Sequence, residues 1–451
     1  MYSLFDSRAV RLAIGRPPTH RWLALAALPL VLGAMALAEQ EENSMTILLN
    51  TPEARDYQSL ELTVRPLAAM DTPGPEPSPP AAAPDYRARF ANSERNGRVD
   101  VALPEGEWVL AWAHEVRKGM LPQAVLSSGD RVLVHTGVWQ LFDLDGNLLK
   151  EGSGGPSTVA LDPEHVRFYH MNRTGDIVGR NLTDGAQVFA AMPFLSSEFS
   201  RPLIRCYGQR LLLIGIERQL DPHGHQKASR SLIEWINLGE PLEVSGTGLL
   251  VSARNEGTLI FPTTAFAAAA SADLVACASP GHLYIAGLSA QLDAVYGAEF
   301  EPVNLSLGGN GVIYLAVRAG DDQQLWCVSP AGERLQSFTL PVGTGTLVAP
   351  PIVGRDNRIY LAGMNRVVAL GPQAELLWEW KAPFMVIGAT CTADGTLVVV
   401  TEREAGLLSP EGEFLSIHRI PESRFYTAPC ITRDGAIVVA TEREVLAFHC
   451  R

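Results

Sequence analysis

Short apolar runs, each entered from a tight turn, recur along most of this chain. The phrase DGTLVVVTERE begins at Asp394 and DGAIVVATERE begins at Asp434, so the spacing is 434 − 394 = 40 residues. Looser copies of the turn and apolar run are RDNRIYLAG (355–363), GNGVIYLAV (309–317), SPGHLYIAG (279–287) and SGDRVLVHT (128–136). A turn dipeptide followed by about five β-prone residues predicts a strand. The chain is therefore predicted to be built from repeated hairpins.

The better copies continue with a polar tip, a second apolar run, a second turn and a closing strand with aromatic residues. Examples of the later turn and the closing strand are PEGE (410–413) and LLWEW (376–380). A period near 40 residues is typical of β-propellers, whose sheets stack radially to bury both faces. From about residue 125 onward 451 − 124 = 327 residues remain, and at ~40 to 45 residues per blade they predict seven or eight blades. The predicted fold class is all-β: a seven- or eight-bladed β-propeller over residues 121–451, preceded by a small β-sandwich-like module.

The end of the chain bears on how such a ring closes. The last apolar run, VLAFHCR (445–451), stops inside a repeat. A closed ring then needs an outer strand from the N-terminal side, which we place near residues 120–126.

Residues 39–120 lack the period of the later repeats. LELTVRPL (60–67) alternates like a strand, and residues 87–115 predict three more strands with Asn96-Gly97 and Glu105-Gly106 as turns. The stretch GRVDVALPEGEWVLAW (97–112) resembles the small β-sandwich modules of the transthyretin or carboxypeptidase-regulatory type, which implies an accessory, non-catalytic module. Residues 72–84, TPGPEPSPPAAAP, contain six prolines and predict a solvated loop or spacer, with a ligand for a groove-type domain as the alternative.

The first 38 residues predict a signal peptide. Arg8, Arg11, Arg16 and Arg21 precede an apolar run over residues 22–38 that ends in Ala-Leu-Ala, a small-residue cleavage pattern. An uncleaved anchor is the alternative, because the run is near the lower limit of ~17 residues for a bilayer span. We expect export to the periplasm or the extracellular space, with no stable membrane span after cleavage.

Composition excludes some functions and leaves others open. The net charge is −13 and the pI is near 5.3, which argues against a nucleic-acid partner, because such binding needs clustered Lys and Arg. The 6 cysteines include no Cys-x-x-Cys pair, so a zinc ribbon or a thioredoxin-like redox site is not expected, and disulfide pairing stays open. No H-E-x-x-H, P-loop or G-x-S-x-G motif occurs, and we predict no catalytic residue.

Two segments have some of the residues that bind metals. The insertion RQLDPHGHQKASRS (218–231) contains His223 and His225, which would form a metal pair with Asp221; the favoured interpretation is a solvated loop. DLDGN (143–147) has part of a calcium-loop pattern but lacks the distal Glu, and a type I′ hairpin accounts for it. We therefore predict no metal site.

The best-preserved repeats resemble a known family. YTAPCITRDGAIVVATEREVLAF (426–448) and LVAPPIVGRDNRIYLAGMNRVVALGPQAELLWEW (347–380) resemble the PQQ-type propeller repeat. The resemblance implies a propeller fold; the family includes quinoprotein dehydrogenases and also non-enzymatic scaffolds such as the outer-membrane assembly lipoprotein of the β-barrel machinery. The chain departs from the quinoprotein enzymes because it has no adjacent cysteines and an irregular spacing of tryptophans. We expect no cofactor, neither PQQ nor calcium.

The candidate site is the rim of the central channel, where loops that enter the innermost strands converge. The segments FSRPL (199–203), APFMV (382–386) and ESRFY (422–426) are predicted to be such loops. They supply the binding candidates Arg201, Phe384, Arg424 and Tyr426, which are of residue types enriched at binding hot spots. Core packing is the alternative for Phe384 and Tyr426.

The twin T-E-R-E tips place like charges at equivalent positions of neighbouring repeats. They predict either a charged recognition rim or hairpin ends kept soluble by charge. The predicted function is an exported, monomeric, non-catalytic β-propeller that acts as an interaction platform for an envelope protein or a small ligand. One alternative is a propeller enzyme, either a calcium-dependent lactonase or hydrolase or a degenerate quinoprotein dehydrogenase. Another is a sensor module for a sugar or peptide.

Overall fold

In a computed structural model of the chain, the described elements are all β-strands. The structure describes residues 44–50, 57–63, 65–66, 97–104, 106–116, 121–154, 159–162, 166–172, 177–191, 198–207, 210–220, 226–242, 250–261, 267–270, 274–287, 292–297, 299–309, 311–320, 322–341, 347–373, 375–419 and 423–450. Within these ranges no helix is long and apolar enough to cross a membrane. The predicted signal peptide (1–38) and the proline-rich loop (72–84) lie outside the described residues.

The described strands group into eight sheets that follow one another along the chain. The N-terminal strands are β1 (Ser44–Asn50), β2 (Tyr57–Thr63), β3 (Arg65–Pro66) and β4 (Trp108–Glu115). Sheet 1 contains β5 (Ala124–Ser128), β6 (Arg131–His135), β7 (Val138–Asp143) and β8 (Leu148–Ser153). Sheet 2 contains β9 (Ala160–Asp162), β10 (Arg167–Met171), β11 (Ile177–Asn181) and β12 (Gln187–Ala191).

Sheets 3 and 4 have more than four strands. Sheet 3 contains β13 (Glu198–Tyr207), β14 (Arg210–Leu220), β15 (Gln226–Leu242) and β16 (Leu250–Phe261), followed by β1 and β2. Sheet 4 contains β17 (Ala267–Ala270), β18 (Leu274–Ser279), β19 (His282–Gly287) and β20 (Leu292–Gly297), followed by β3. Strand β1 is antiparallel to β16, whereas β3 is parallel to β20.

The remaining sheets have four strands each. Sheet 5 contains β21 (Glu301–Leu307), β22 (Ile313–Ala319), β23 (Asp322–Val328) and β24 (Arg334–Thr339). Sheet 6 contains β25 (Ile352–Val353), β26 (Ile359–Gly363), β27 (Arg366–Leu370) and β28 (Leu376–Lys381). Sheet 7 contains β29 (Val386–Cys391), β30 (Leu397–Thr401), β31 (Glu404–Leu408) and β32 (Phe414–Arg419). Sheet 8 contains β33 (Cys430–Ile431), β34 (Ile437–Ala440) and β35 (Glu444–Cys450), followed by β4.

This arrangement is a β-propeller, as the repeat predicted. The first strands of neighbouring sheets are in contact, for example β33 with β5 and β25 with β29, and these inner strands are buried. The fourth strands β8, β28 and β32 are mostly exposed. The apolar core lies between neighbouring sheets: Tyr360 of sheet 6 packs with Val399 of sheet 7 in one cluster. The all-β propeller class is confirmed, and the count of seven or eight blades stays a prediction.

The ring is closed by a strand from the N-terminal side, as predicted, but not by the residues we expected. Strand β4 pairs with β35, with Trp108 opposite Cys450 and Glu115 opposite Glu444. The expected segment, residues 120–126, instead leads into β5, whose residues are all buried in the inner strand of sheet 1. The prediction was wrong because an outer strand is half-exposed, as β4 and β28 are, whereas AVLSS consists of small and apolar residues that are buried on both faces, as in an inner strand.

The segment that precedes β4 also differs from its prediction. Of the three strands predicted over residues 87–115, the described residues contain one, β4. Residues 97–101 run along the free edge of the inner strand β29: Val99 N donates to Cys391 O at 2.9 Å, and Cys391 N donates to Gly97 O at 2.8 Å. Arg98 and Cys391 form an isolated parallel bridge. Strands β1 to β4 belong to sheets of the propeller, and a separate small module stays a prediction for the parts of residues 39–120 outside these strands.

Two turn predictions are corrected. Most of the insertion 218–231 is not a loop, because it extends the β14–β15 hairpin, with Arg218 opposite Ser229 and Leu220 opposite Gln226. His223 and His225 lie outside the described residues. DLDGN is not a type I′ turn, since that turn needs positive φ at both central residues and only Gly146 has one, at 84°. Its loop is a type I turn followed by a left-handed glycine, fixed by Asn147 N donating to Asp143 Oδ1 at 2.8 Å.

Candidate functional site

The candidate site lies on one face of the propeller, here called the upper face. Strands within each sheet alternate in direction. The turn between the second and third strands therefore lies on the same side as the connection from the fourth strand to the next sheet, and both belong to the upper face. Backbone hydrogen bonds join these loops across sheets 6, 7 and 8. Val386 N donates to Met364 O and Glu402 N to Met385 O, both at 2.8 Å, and Phe425 N donates to Glu402 O at 3.0 Å. The loops therefore form one continuous surface.

A shallow recess lies in this surface between the tip of sheet 6 and the first loop of sheet 7. Its volume is about 410 Å³, and its lining comprises Met364, Asn365, Ala382, Pro383, Phe384 and Met385. Met364 and Met385 are 43% and 38% exposed, and Phe384 is half-buried. Methionine side chains are flexible and polarizable, so the recess can adapt to an apolar group of a ligand.

The structure brings together three of the four predicted rim residues on neighbouring sheets. Phe384 lies in the connection that enters β29, and Arg424 and Tyr426 lie in the connection that enters β33. Arg424 is exposed and Tyr426 is half-buried, whereas Phe425 between them is fully buried. Phe425 is the anchor of this loop and directs its two neighbours outward. The sequence did not distinguish Phe425 from its neighbours because all three share one short loop.

Arg201 does not lie in a loop. It belongs to strand β13 of sheet 3, where the pairing with β14 is irregular between Ser200 and Leu203. The segment 199–203 was predicted as a channel-mouth loop, and the strand assignment corrects this; Pro202 in the segment accounts for the local irregularity, since proline has no N–H for the ladder. The side chain of Arg201 is outside the described part of the structure.

The twin T-E-R-E tips have the same backbone and different surroundings. In both, the threonine hydroxyl accepts the N–H two and three residues ahead, as Thr401 Oγ1 does from Glu404 N at 3.0 Å and Thr441 Oγ1 does from Glu444 N at 2.9 Å. Glu404 is buried and accepts a bond from Arg419 Nε at 2.8 Å. Glu444 is exposed and stands opposite Glu115 of the closing strand. The two tips are therefore not equivalent as recognition elements.

The opposite, lower mouth of the channel contains residues 97–104, which sequence analysis missed. Ala393 N donates to Val101 O at 3.0 Å, and Asp100 lies 4.0 Å from Arg355 of sheet 6. Pro104 reaches the first turn of sheet 8, where a Cβ built on Gly435 would lie 2.9 Å from its ring. This segment lies along the inner edge of sheet 7 on the lower side. It therefore covers the lower loops of sheets 6 to 8 and leaves their upper loops uncovered.

Cys277, Cys327, Cys391 and Cys430 are buried free thiols, and Cys450 is a half-buried free thiol. Burial raises the pKa of Cys391 and of Cys430 to about 12. At neutral pH these thiols stay protonated, and the thiolate is the reactive form. Within the described ranges, no group of three or more His, Cys, Asp or Glu side chains is placed to hold a metal ion.

Comparisons with known proteins concern the fold. No family model and no curated protein sequence matches the chain. Among solved structures, it is similar to BamB from Moraxella catarrhalis, with a TM-score of 0.52 and 11% identity over 76% of this chain and 98% of that one. It is also similar to quinohemoprotein alcohol dehydrogenase from Comamonas testosteroni, with a TM-score of 0.55 and 12% identity over 82% of this chain and 81% of that one. The chain has the PQQ-like β-propeller fold, which BamB and an alcohol dehydrogenase share.

Proposed function

We propose that this chain is an exported, non-catalytic β-propeller that binds a partner protein of the cell envelope through its upper face. The recess beside Phe384 carries this proposal. Its lining includes the flexible apolar side chains of Met364 and Met385. The exposed Arg424 lies outside this lining, on the next connection of the same face. Aromatic and arginine side chains are enriched at the centre of protein interfaces, and methionine is enriched there too.

The position of the recess supports the same interpretation. Its loops are held by the backbone bonds that cross sheets 6 to 8, so the surface is preorganised and little conformational entropy is lost on binding. On the lower side, residues 97–104 cover the inner edge of sheet 7. A partner that approaches these sheets therefore meets accessible loops on the upper face. Arg201 remains part of the proposed rim through its place at the irregular end of β13.

The proposal that the chain is exported rests on its N-terminal sequence. The arginine-flanked apolar run that ends in Ala36-Leu37-Ala38 favours a signal peptide. A tagged full chain expressed in its own cells, followed by N-terminal sequencing of the mature protein from the periplasmic fraction or the medium, tests this part. A mature N-terminus at Glu39 supports export with cleavage, and an uncut protein in the cytoplasm rejects it.

Affinity capture from gently crosslinked, detergent-solubilised envelopes tests the interaction. We expect to recover one stoichiometric protein partner. In the combined variant Phe384→Ala, Arg424→Ala and Tyr426→Ala, the recovered amount of this partner should fall about tenfold, which is the effect of losing a binding hot spot. Arg201→Ala is assayed separately. The exposed positions Glu333→Ala and Ser337→Ala on sheet 5 are matched controls that keep recovery unchanged. Recovery of the bait alone, together with a thermal shift produced by calcium or PQQ, rejects the platform and favours the enzyme alternative.

A further inference from the structure

A second surface of the propeller is apolar where a soluble protein is usually polar. The outer strands of four consecutive sheets begin with exposed apolar side chains, and together these form what we call the outer band. Its members are Leu376 and Leu377 of β28, Phe414, Leu415 and Ile417 of β32, Leu110 of β4, and Leu148 and Leu149 of β8. Leu415 is 57% exposed and Leu376 is 53% exposed. Large contiguous apolar patches mark interaction sites, whereas scattered ones do not.

The outer band is continuous because aromatic residues join its sheets. Trp380 of sheet 6 meets Phe414 of sheet 7 edge to face, with centroids 5.3 Å apart. Trp112 of sheet 8 lies against Gly146 in the turn that precedes β8 of sheet 1, where a built Cβ would be 2.5 Å from the indole. By contrast, β24 of sheet 5 presents Arg334, Gln336, Ser337 and Thr339 and buries Phe338. Among the side chains that the structure describes, the band therefore ends between sheets 5 and 6.

A narrow apolar crevice opens in the middle of the outer band, between sheets 7 and 8. Its walls include Trp108, Ser416, His418 and Phe448, and its floor includes Gly406. Gly406 stands opposite Ile417, and a Cβ built on it would lie 3.4 Å from Phe414 and 3.9 Å from Ile417, both members of the outer band. The missing side chain at Gly406 therefore lets these two apolar side chains pack closely over the strand.

The charges that border the outer band indicate which partner fits. Each of its strands follows an exposed carboxylate at the lower edge: Glu107, Asp145, Glu375 and Glu413. Among the described residues none of these four forms an ion pair, whereas Glu411 is reached by Arg358 at 3.6 Å. This lower border attracts Lys and Arg of a partner, whereas the exposed cations Lys381 and Arg419 lie at the opposite ends of β28 and β32.

We propose that the outer band is a docking surface for a partner protein that presents an apolar strand or face bordered by basic residues. The mode of docking is addition at the free edge of an outer strand such as β32, with apolar side chains of the partner against Leu415 and Ile417. The chain already uses this mode, because β3 adds to the outer edge of β20. The proposal goes beyond the upper-face function and uses none of its residues.

Two labelled ten-residue peptides, one alternating Leu and Lys and one alternating Leu and Glu, serve as probes with the full chain. We expect the Leu–Lys peptide to bind about tenfold more tightly than the Leu–Glu peptide in fluorescence anisotropy. The variant Leu415→Ser with Ile417→Ser weakens its binding about tenfold, and Glu375→Gln with Glu413→Gln weakens it and flattens its salt dependence. Leu121→Ser, an exposed apolar position outside the outer band, is the matched control and leaves binding unchanged.

Several outcomes overturn the proposal. One is equal binding of the Leu–Lys peptide by wild type and by the Leu415/Ile417 variant, with both shown folded by their urea midpoints. Another is equal binding of the two peptides. Co-sedimentation of wild type, but not of that variant, with phosphatidylcholine–phosphatidylglycerol vesicles assigns the band to lipid instead. A dimer in sedimentation equilibrium that the variant abolishes assigns it to a second copy.

Discussion

The indole nitrogen of Trp378 donates a hydrogen bond to the carbonyl oxygen of Pro410 at 2.8 Å, and its ring lies over Gly412 of the same turn. Trp378 is on the outer strand of sheet 6 and the turn belongs to sheet 7, so the contact joins consecutive sheets. Gly412 has a φ of 85°, and a Cβ built on it would lie 2.8 Å from the ring. The glycine thus provides both the turn geometry and the room for the indole.

Gly412→Ala should destabilise the protein more than an equivalent change at an open turn. Gly320 is the matched control, since its φ is 62° and nothing lies within 4 Å of a Cβ built there. Both alanines cost about 1–2 kcal/mol for the left-handed backbone. Gly412→Ala also displaces Trp378 and its hydrogen bond, which adds about 1–2 kcal/mol. Urea unfolding measures both, and equal losses for the two variants would show that the indole contact contributes nothing.

Arg419→Ala should expose the cost of a buried carboxylate. Glu404 is 2% exposed, and the guanidinium of Arg419 supplies its cationic partner. Removing the arginine leaves the carboxylate unpaired, which costs about 1–3 kcal/mol of the free energy of unfolding. Adding Glu404→Gln should recover part of the loss, because a neutral amide needs no cation. Arg318→Ala is the control: its partner Glu301 is 69% exposed, so the loss is at most about 1 kcal/mol.

The sequence predicted the twin tips at the right positions but not their difference. Both phrases read T-E-R-E, and both form the same threonine-capped turn. What differs is the fourth strand opposite the last glutamate. In sheet 7 this strand follows directly along the chain and brings Arg419, whereas in sheet 8 it comes from the N-terminal side and brings Glu115. A local repeat does not encode which distant strand completes its sheet.

Replacing Glu115 by arginine should stabilise the closure of the ring. Glu115 lies directly opposite Glu444, and like charges at facing positions are destabilising in antiparallel sheets. Glu115→Arg converts the pair into the type seen for Glu404 and Arg419, with a gain of about 0.2–1 kcal/mol. The gain should shrink as salt is raised, because both residues are exposed. Glu115→Gln should give a smaller gain, and a loss of stability with arginine would contradict the repulsion.

The location of the closing strand could have been derived from the sequence. WVLAWAHE places a tryptophan, Trp112, at a position like that of Trp378 in LLWEW, and Trp112 Nε1 donates to Leu144 O at 2.8 Å as Trp378 does to Pro410. The closing strand thus has the aromatic pattern of the other outer strands. The segment 97–104 had no such pattern, since its edge contact with β29 involves mainly backbone atoms. Backbone contacts of this kind can be made by almost any residue type, so the sequence does not reveal them.

His135 should make the stability of the propeller depend on pH between about 4 and 6.5. It ends β6 at 1% exposure, and both of its ring nitrogens lack a hydrogen-bond partner among the described residues. Burial, and secondarily the nearby imidazole of His170, lower its pKa from 6.5 to about 4. The folded state therefore binds fewer protons than the unfolded state in this range, so stability is complete above pH 6.5 and falls as the pH drops towards 4.

The drop in the pKa of His135 from 6.5 to about 4 corresponds to about 3 kcal/mol at most. His135→Leu removes the titrating group, so urea unfolding at a series of pH values should show a shallower dependence between pH 6.5 and 4, whatever its absolute stability at pH 8. His170→Phe keeps His135 and removes the second imidazole. Its dependence should be intermediate, because burial remains the larger cause of the lowered pKa. If all three proteins lose stability in parallel over this range, other groups control the acid response and the assignment to His135 is wrong.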